Sequence, residues 1–247
     1  DHIFSVSSFF LVGDILDGNQ TVIAPRTDLI KSIANSTMQS NHNSEKYQVS
    51  ANFIDAIPGS TYPLLIGKDK YMCHILKMDH SIPTVGYCIS KSVKKLNPTL
   101  IPLKDTLTKK QFSNIMKMIK SGVELPDDVP PLKPDEITLI CNMPQFCFLT
   151  DTSINGISRN INIIKKYPII IVECTFYHID DIHHAISKKH IHWNHIKHYI
   201  KLYSSSLWVL IHNSTRYKHH GEIIDAIKSN EEEDNIPSNC IVWISAT

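Results

Sequence analysis

The chain has 247 residues, of which 42% are hydrophobic and 20% charged, enough to bury a sizeable core in one large domain or two small ones. Its formal net charge is only +1, from 25 basic and 24 acidic residues. This balance excludes a strongly basic nucleic-acid binder, so any nucleic acid would have to be held by a local patch.

Cysteine usage and hydropathy favour a reduced, intracellular protein. The six cysteines form no CxxC pair, and four of them lie in or beside apolar runs: Cys88, Cys141, Cys147 and Cys174. No apolar stretch approaches the roughly 20 residues that span a membrane. No signal peptide is visible, which favours the cytoplasm or the nucleus. An organelle stays open because the chain starts at Asp1, and a targeting segment could precede it.

The first half of the chain is predicted to alternate strands with amphipathic helices. A loop should run into a helix near residues 7–12, and helical spacing of apolar residues predicts further helices at 28–38 and 107–120. Strands are predicted at 21–25, 47–57, 62–66, 70–77 and 84–89. The polar stretch 39–46 should be a solvated loop, and the proline-rich stretch 126–134 a turn region.

The second half of the chain repeats a pattern of an apolar strand followed by a helix. Strands are predicted at 146–149, 168–174, 207–211 and 240–245, and helices at 158–166, 179–203 and 221–229. Such alternation predicts an α/β fold with a mixed sheet buried under helices. There is no internal repeat and no domain-sized linker, so residues 1–247 are predicted to form a single domain.

Polar side chains stand at the downstream ends of several predicted strands. Asp151 follows one strand, Glu173 and Thr175 end another, and His212 ends a third, while His80 follows an earlier strand. Rigid strands aim such side chains at a common site, and two histidines with a carboxylate suit zinc. Each residue also has an ordinary alternative, since Asp151 could cap a turn and His80 could be an exposed loop residue.

The motifs that surround these residues resemble, in order, those of the ribonuclease Z family of metallo-β-lactamase-fold hydrolases. Asp1-His2-Ile3 resembles the second half of the HxHxDH motif. His80 precedes a turn and a Gly-Tyr pair, and Thr150-Asp151-Thr152 resembles the strand that ends in GDT. Three further segments resemble the family's later motifs: Val172-Glu173-Cys174-Thr175-Phe176, His190-Ile191-His192-Trp193 and His212-Asn213-Ser214-Thr215-Arg216-Tyr217.

The resemblance implies an αββα sandwich of mixed sheets with outer helices, with the first strands missing, and a centre of two zinc ions. Asp1, His2 and His212 would bind one zinc, His80 would bind the other, and Asp151 would bridge the two. Two histidines of the motif would lie upstream of Asp1, so the chain is expected to be truncated within its own metal-binding motif.

The implied activity is tRNA 3′-end processing by hydrolysis of a phosphodiester in a tRNA precursor, and homodimers are a further expectation. Asp1 would orient or deprotonate the nucleophile, and His190 would stabilise the transition state or protonate the leaving oxygen. Glu173 would hold the ring of His190. Arg216 and, less directly, His192 would contact the substrate.

Two alternatives remain open on the sequence. One is a related hydrolase of a small phosphodiester or another ester, because the interval between residues 89 and 141 lacks the Gly-Pro-rich tip of a tRNA-gripping arm. Thr150 and Asn213 also depart from the family's Gly and Phe at these positions. The other is a metal-free pseudo-enzyme that serves as a binding subunit.

Overall fold

A computed structural model of the chain describes residues 20–42, 51–217, 219–229 and 236–243. Asp1 and His2, both predicted to bind zinc, lie outside these ranges. So does the helix predicted near residues 7–12.

Nine strands lie within the described residues. They are β1 (Gln20–Ala24), β2 (Ala51–Asp55), β3 (Thr61–Ile66), β4 (Asp69–Lys77), β5 (Val85–Leu96), β6 (Thr138–Leu149), β7 (Ile169–Glu173), β8 (Leu207–Ile211) and β9 (Cys240–Val242). β1 and β2 form a parallel pair. The other seven form one sheet in the order β3-β4-β5-β6-β7-β8-β9, in which β6, β7, β8 and β9 run parallel.

Seven α-helices lie in the same ranges. They are α1 (Thr27–His42), α2 (Ile101–Thr106), α3 (Lys109–Ser121), α4 (Ile154–Ile164), α5 (Ile182–Lys188), α6 (Trp193–Leu202) and α7 (His220–Ser229). Short 3-10 turns occur at Pro98–Leu100, Pro134–Glu136 and Ile179–Asp181. No helix in the part of the chain that the structure describes is long and apolar enough to cross a membrane.

The chain divides into two compact units. The first comprises Asp1–Tyr62, His74–Cys88 and Phe146–Thr247, and the second comprises Pro63–Cys73 and Ile89–Gln145. The single domain predicted for residues 1–247 stays a prediction.

The core of the first unit lies between the parallel strands and three helices. Alternate strand residues face inward because side chains alternate between the two faces of a strand. They are Cys147 and Leu149 on β6, Ile170 and Val172 on β7, and Trp208 and Leu210 on β8. Against them pack Ile157 and Ile164 of α4, Trp193, Ile196 and Ile200 of α6, and Ile223, Ala226 and Ile227 of α7. A β-sheet covered by helices confirms the predicted α/β class.

The second unit has a small core of its own. Leu100, Ile119 and Ile137 are buried together, and α3 supplies part of the apolar face. Thr108 begins α3 in a capping box with Gln111, and Gly122 ends it in the left-handed region at φ 67°. The amphipathic helix predicted for residues 107–120 is thereby confirmed, since a capping residue and a left-handed glycine mark its two ends.

Several boundaries differ from the predictions, among them the start of β6, which lies at Thr138 rather than at residue 146. The helix predicted for 179–203 is interrupted at residues 189–192, where Lys189 takes a left-handed φ of 57°. α1 continues through residue 42, into the stretch predicted as loop, and β5 continues seven residues beyond the predicted strand, through its lysines, to Leu96.

Candidate metal centre

Parallel strands bring three predicted site residues to one edge of the sheet. β6, β7 and β8 are neighbours, with Leu149 paired to Val172 and Glu173 paired to Ile211. Asp151 follows β6, Glu173 ends β7 and His212 follows β8. Since parallel strands end at a common edge, the register itself places the three side chains together.

The backbone of His212 is in the left-handed region, at φ 61°. A residue with a Cβ adopts this conformation at a cost, and histidine is among the side chains that tolerate it better than most. The left-handed φ turns the chain directly after β8.

His190 reaches the same edge from the break between α5 and α6. Backbone bonds fix this segment against the residues after β7: Thr175 N donates to Ile191 O at 3.1 Å, and Trp193 N donates to Phe176 O at 2.9 Å. These bonds place a loop where a continuous helix was predicted, and the loop carries His190 to the sheet edge.

Asp151, His190 and His212 form a group that could hold a metal ion. One donor atom from each lies within 4.8 Å of the other two. His212 Nε2 is 3.8 Å from Asp151 Oδ2, and the rings of His190 and His212 stack with centroids 5.5 Å apart. All three side chains are half-buried, as residues lining a cleft would be.

Glu173 is the buried centre of the hydrogen bonds that support this group, being only 1% exposed. Its Oε1 accepts from Thr152 N at 2.9 Å and from His190 Nδ1 at 2.8 Å. Its Oε2 accepts from Thr175 Oγ1 at 2.7 Å and from Ile191 N at 3.2 Å. Four donors satisfy a carboxylate that would otherwise be costly to bury.

These bonds determine how the two rings are oriented. A carboxylate only accepts hydrogen bonds, so His190 Nδ1 must carry the proton it donates to Glu173. The Thr175 hydroxyl donates a hydrogen bond to Glu173. Its oxygen therefore acts as the acceptor for His212 Nδ1, at 3.1 Å. Both rings are therefore held through Nδ1. Two imidazoles oriented by outer hydrogen bonds, with one carboxylate, are a donor set that fits zinc.

The charge of Glu173 also changes the proton affinity of its neighbour. The hydrogen bond to Glu173 raises the pKa of His190 above its usual value of 6.5, and the negative charges of Glu173 and Asp151 act in the same direction. Partial burial of the ring opposes the shift. His190 is therefore better suited than an ordinary histidine to keep a proton near neutral pH.

His80, predicted to bind zinc, lies beside the three-residue group and is not a member of it. Its ring centroid is 4.9 Å from that of His190, and its Nδ1 is 3.1 Å from the carbonyl oxygen of Lys189. Bonding through Nδ1 leaves Nε2 of His80 as its available donor atom.

The substrate-binding role predicted for His192 stays a prediction. Its ring is fully buried, with Nε2 2.7 Å from His178 O and Nδ1 accepting from Asn194 N at 3.0 Å. Both nitrogens are used, and the side chain caps the start of α6. Arg216 lies at the surface, where its guanidinium pairs with Asp181 at 2.8 Å and lies over the ring of Phe176.

Two polar residues that connect the site loops were not predicted from the sequence, Asp79 and Lys189. Asp79 accepts a hydrogen bond from Ser153 Oγ and pairs with Lys189 Nζ at 3.1 Å. Asp79 stands directly before the predicted ligand His80, which is the signal that could have marked it. Lys189 lies in a run typical of a helix, and nothing in its sequence context sets it apart.

No family model and no curated protein matches the chain. Among solved structures, the metallo-β-lactamase fold protein YhfI from Bacillus subtilis is similar with a TM-score of 0.48 and 13% identity, covering 98% of this chain and 70% of that one. Human tRNase Z, short form, gives a TM-score of 0.41 and 15% identity, with coverages of 83% and 65%. Yeast PDE1 gives a TM-score of 0.42 and 11% identity, covering 92% of this chain and 58% of that one. At these values the similarities carry no metal, substrate or activity over to this chain.

Proposed function

We propose that the chain is a zinc-dependent phosphodiester hydrolase of the metallo-β-lactamase fold, with ribonuclease Z-type activity on tRNA precursors. The observation that carries the proposal is that Asp151 and His212, the proposed metal ligands, and His190, the proposed acid, each bring one nitrogen or oxygen atom to within 4.8 Å of the other two. The motif order along the sequence supports the same assignment.

The residues divide into metal ligands and a proton donor. Asp151 and His212 bind metal, and by the family resemblance Asp1 and His2 join His212 at one zinc site and His80 lies at the other. Two further histidines are expected upstream of Asp1. Zinc, when bound, supplies Lewis acidity and makes hydroxide available as a nucleophile near neutral pH. Asp1 orients that nucleophile, also by resemblance.

His190 is the proposed general acid. Glu173 holds its Nδ1–H, so Nε2 points to the space shared with Asp151 and His212. The raised pKa of His190 keeps the ring protonated at a higher pH, as a donor to a leaving oxygen requires. Arg216 contacts a substrate phosphate in this proposal, which requires it to exchange its bond with Asp181 for one with the substrate.

The first test is zinc content per chain in the natural full-length protein, compared with His212→Ala, His190→Ala and the control His198→Ala, an exposed histidine on α6. We expect close to two zinc ions in the parent, the control and His190→Ala, and fewer in His212→Ala. Cleavage of a tRNA precursor should fail in both site variants, because one lacks metal and the other lacks the acid.

Two results would overturn parts of this proposal. Zinc absent from the parent would leave the metal-free binding protein as the better account. Zinc present with turnover of a small chromogenic diester, but none of a tRNA precursor, would assign the small phosphodiester as substrate.

A further inference from the structure

Asp79 joins the loop that carries His80 to the loop that carries Asp151. Its backbone N donates to Thr152 Oγ1 at 3.0 Å, and its carbonyl accepts from Ser153 N at 2.7 Å. Its Oδ2 accepts from Ser153 Oγ. Three bonds from one residue fix the segment before His80 to the segment after Asp151.

The second carboxylate oxygen of Asp79 reaches the loop that carries His190. Lys189 Nζ donates to Asp79 Oδ1 at 3.1 Å, and the carbonyl of Lys189 lies 3.1 Å from His80 Nδ1. Lys189 thus contacts the residue before His80 with its side chain and His80 itself with its backbone. Its left-handed φ of 57° ends α5 and turns the chain toward His190.

We propose that the Asp79–Lys189 ion pair is a positioning device that aims the rings of His80 and His190 at the site. The inference rests on the proposed function for its effect on catalysis, but the placement of the rings is independent of that function. In this proposal Asp79 and Lys189 act through the two histidines.

The burial of the pair explains why its effect falls on geometry rather than on stability. The Asp79 side chain is 17% exposed and that of Lys189 is 47% exposed. Ion pairs with one exposed partner contribute little to folding. A small displacement of a catalytic group, in contrast, can lower the rate by a large factor.

The test compares three variants of the full chain. Lys189→Met removes the amine and keeps an unbranched side chain at the left-handed position, and Lys189→Arg restores a cation. Lys188→Met is the matched control, because Lys188 is the exposed neighbour at the end of α5. The first readout is the NMR spectrum of the histidine ring nitrogens in the metal-free protein. The second is kcat and KM on bis(p-nitrophenyl) phosphate with zinc added.

We expect Lys189→Met to shift the ring signals of His80 and His190 and to lower kcat by about tenfold with KM unchanged. Lys189→Arg should restore most of the parent's ring signals and most of its kcat. Lys188→Met should resemble the parent. Ring signals in Lys189→Met that match the parent would overturn the positioning role. A parent that binds no zinc and cleaves nothing would overturn the proposed function alone, since the ring signals still decide the positioning role.

Discussion

His190 and His212 both direct Nδ1 toward the hydroxyl of Thr175, at 3.3 and 3.1 Å, while their rings stack at an interplanar angle of 23°. One hydroxyl therefore contacts Nδ1 of both imidazoles and donates its own hydrogen bond to Glu173. The two rings share their orientation because they share this partner.

Removing the Thr175 hydroxyl should weaken metal binding without changing any ligand. Thr175→Val leaves His212 Nδ1 without its acceptor, and we expect the zinc dissociation constant to rise about tenfold. The free energy of unfolding should fall by about 1–2 kcal/mol, because the buried carboxylate of Glu173 loses the hydrogen bond that Thr175 donates to it. Titration with zinc and urea unfolding measure the two effects. Thr175→Ser keeps the hydroxyl and should bind zinc nearly as well as the parent. A loss of zinc affinity in Thr175→Ser equal to that in Thr175→Val would contradict the explanation.

Glu173→Gln should destabilise the fold although it removes a buried charge. An amide nitrogen cannot accept the bonds that one carboxylate oxygen accepts from its two donors. We expect a loss of about 2 kcal/mol in the free energy of unfolding, measured in urea. Glu124→Gln, at an exposed position, is the control and should change stability by less than about 0.5 kcal/mol. Equal stability of the two variants would show that the four bonds of Glu173 are energetically unimportant.

Gly156→Ala should be destabilising, against the helix propensity of alanine. A Cβ at Gly156 would lie 2.0 Å from Thr152 Oγ1 and 3.0 Å from Asp79 N, so the loop after β6 would have to move. We expect a loss of at least about 2 kcal/mol on thermal unfolding, together with weaker zinc binding. Gly221→Ala, in the first turn of α7, meets no atom within 4 Å and should be neutral or stabilising by up to about 1 kcal/mol.

Two histidines near residue 191 should give opposite pH dependences in the metal-free protein. The pKa of His190 is raised, first by its hydrogen bond to Glu173, so its contribution to stability is full below pH 6.5 and is lost as pH rises through the folded value. The pKa of His192 is lowered, first by burial, so its contribution is present above pH 6.5 and is lost as pH falls through the folded value.

An NMR titration of the ring protons checks this order directly. We expect the His190 signal to titrate above pH 6.5 and the His192 signal below it. Unfolding in urea at several pH values should show the advantage of the parent over His190→Gln shrinking above pH 6.5. A His192 signal that titrates at or above the pH of the His190 signal would contradict the assignment.

The sequence predicted the sheet edge well because strand pattern and register are linked. Short apolar runs ending in Asp151, Glu173 and His212 require parallel neighbours to bury both faces, and parallel strands finish together. Glu173 as the partner of His190 was predicted from the family resemblance, and the structure adds the donors that satisfy it.

The loop that delivers His190 could not be predicted because its residues have no breaker among them. Residues 179–203 contain neither glycine nor proline, and Lys189 is a good helix former that tertiary bonds force into a left-handed turn. The hydrogen bonds of Asp79 join residues far apart in the chain, so local pattern carries no signal for them.

The four bonds of Glu173 join residues that are synthesised at different times. On a ribosome, Thr152 and Thr175 emerge with β7, whereas His190 and Ile191 follow only after α5 has been made. A nascent chain that buried β7 earlier would enclose a carboxylate lacking two of its four donors. We therefore expect β7 to remain undocked during translation until the segment after α5 has left the exit tunnel, and the sheet edge to be completed only later, when His212 follows β8.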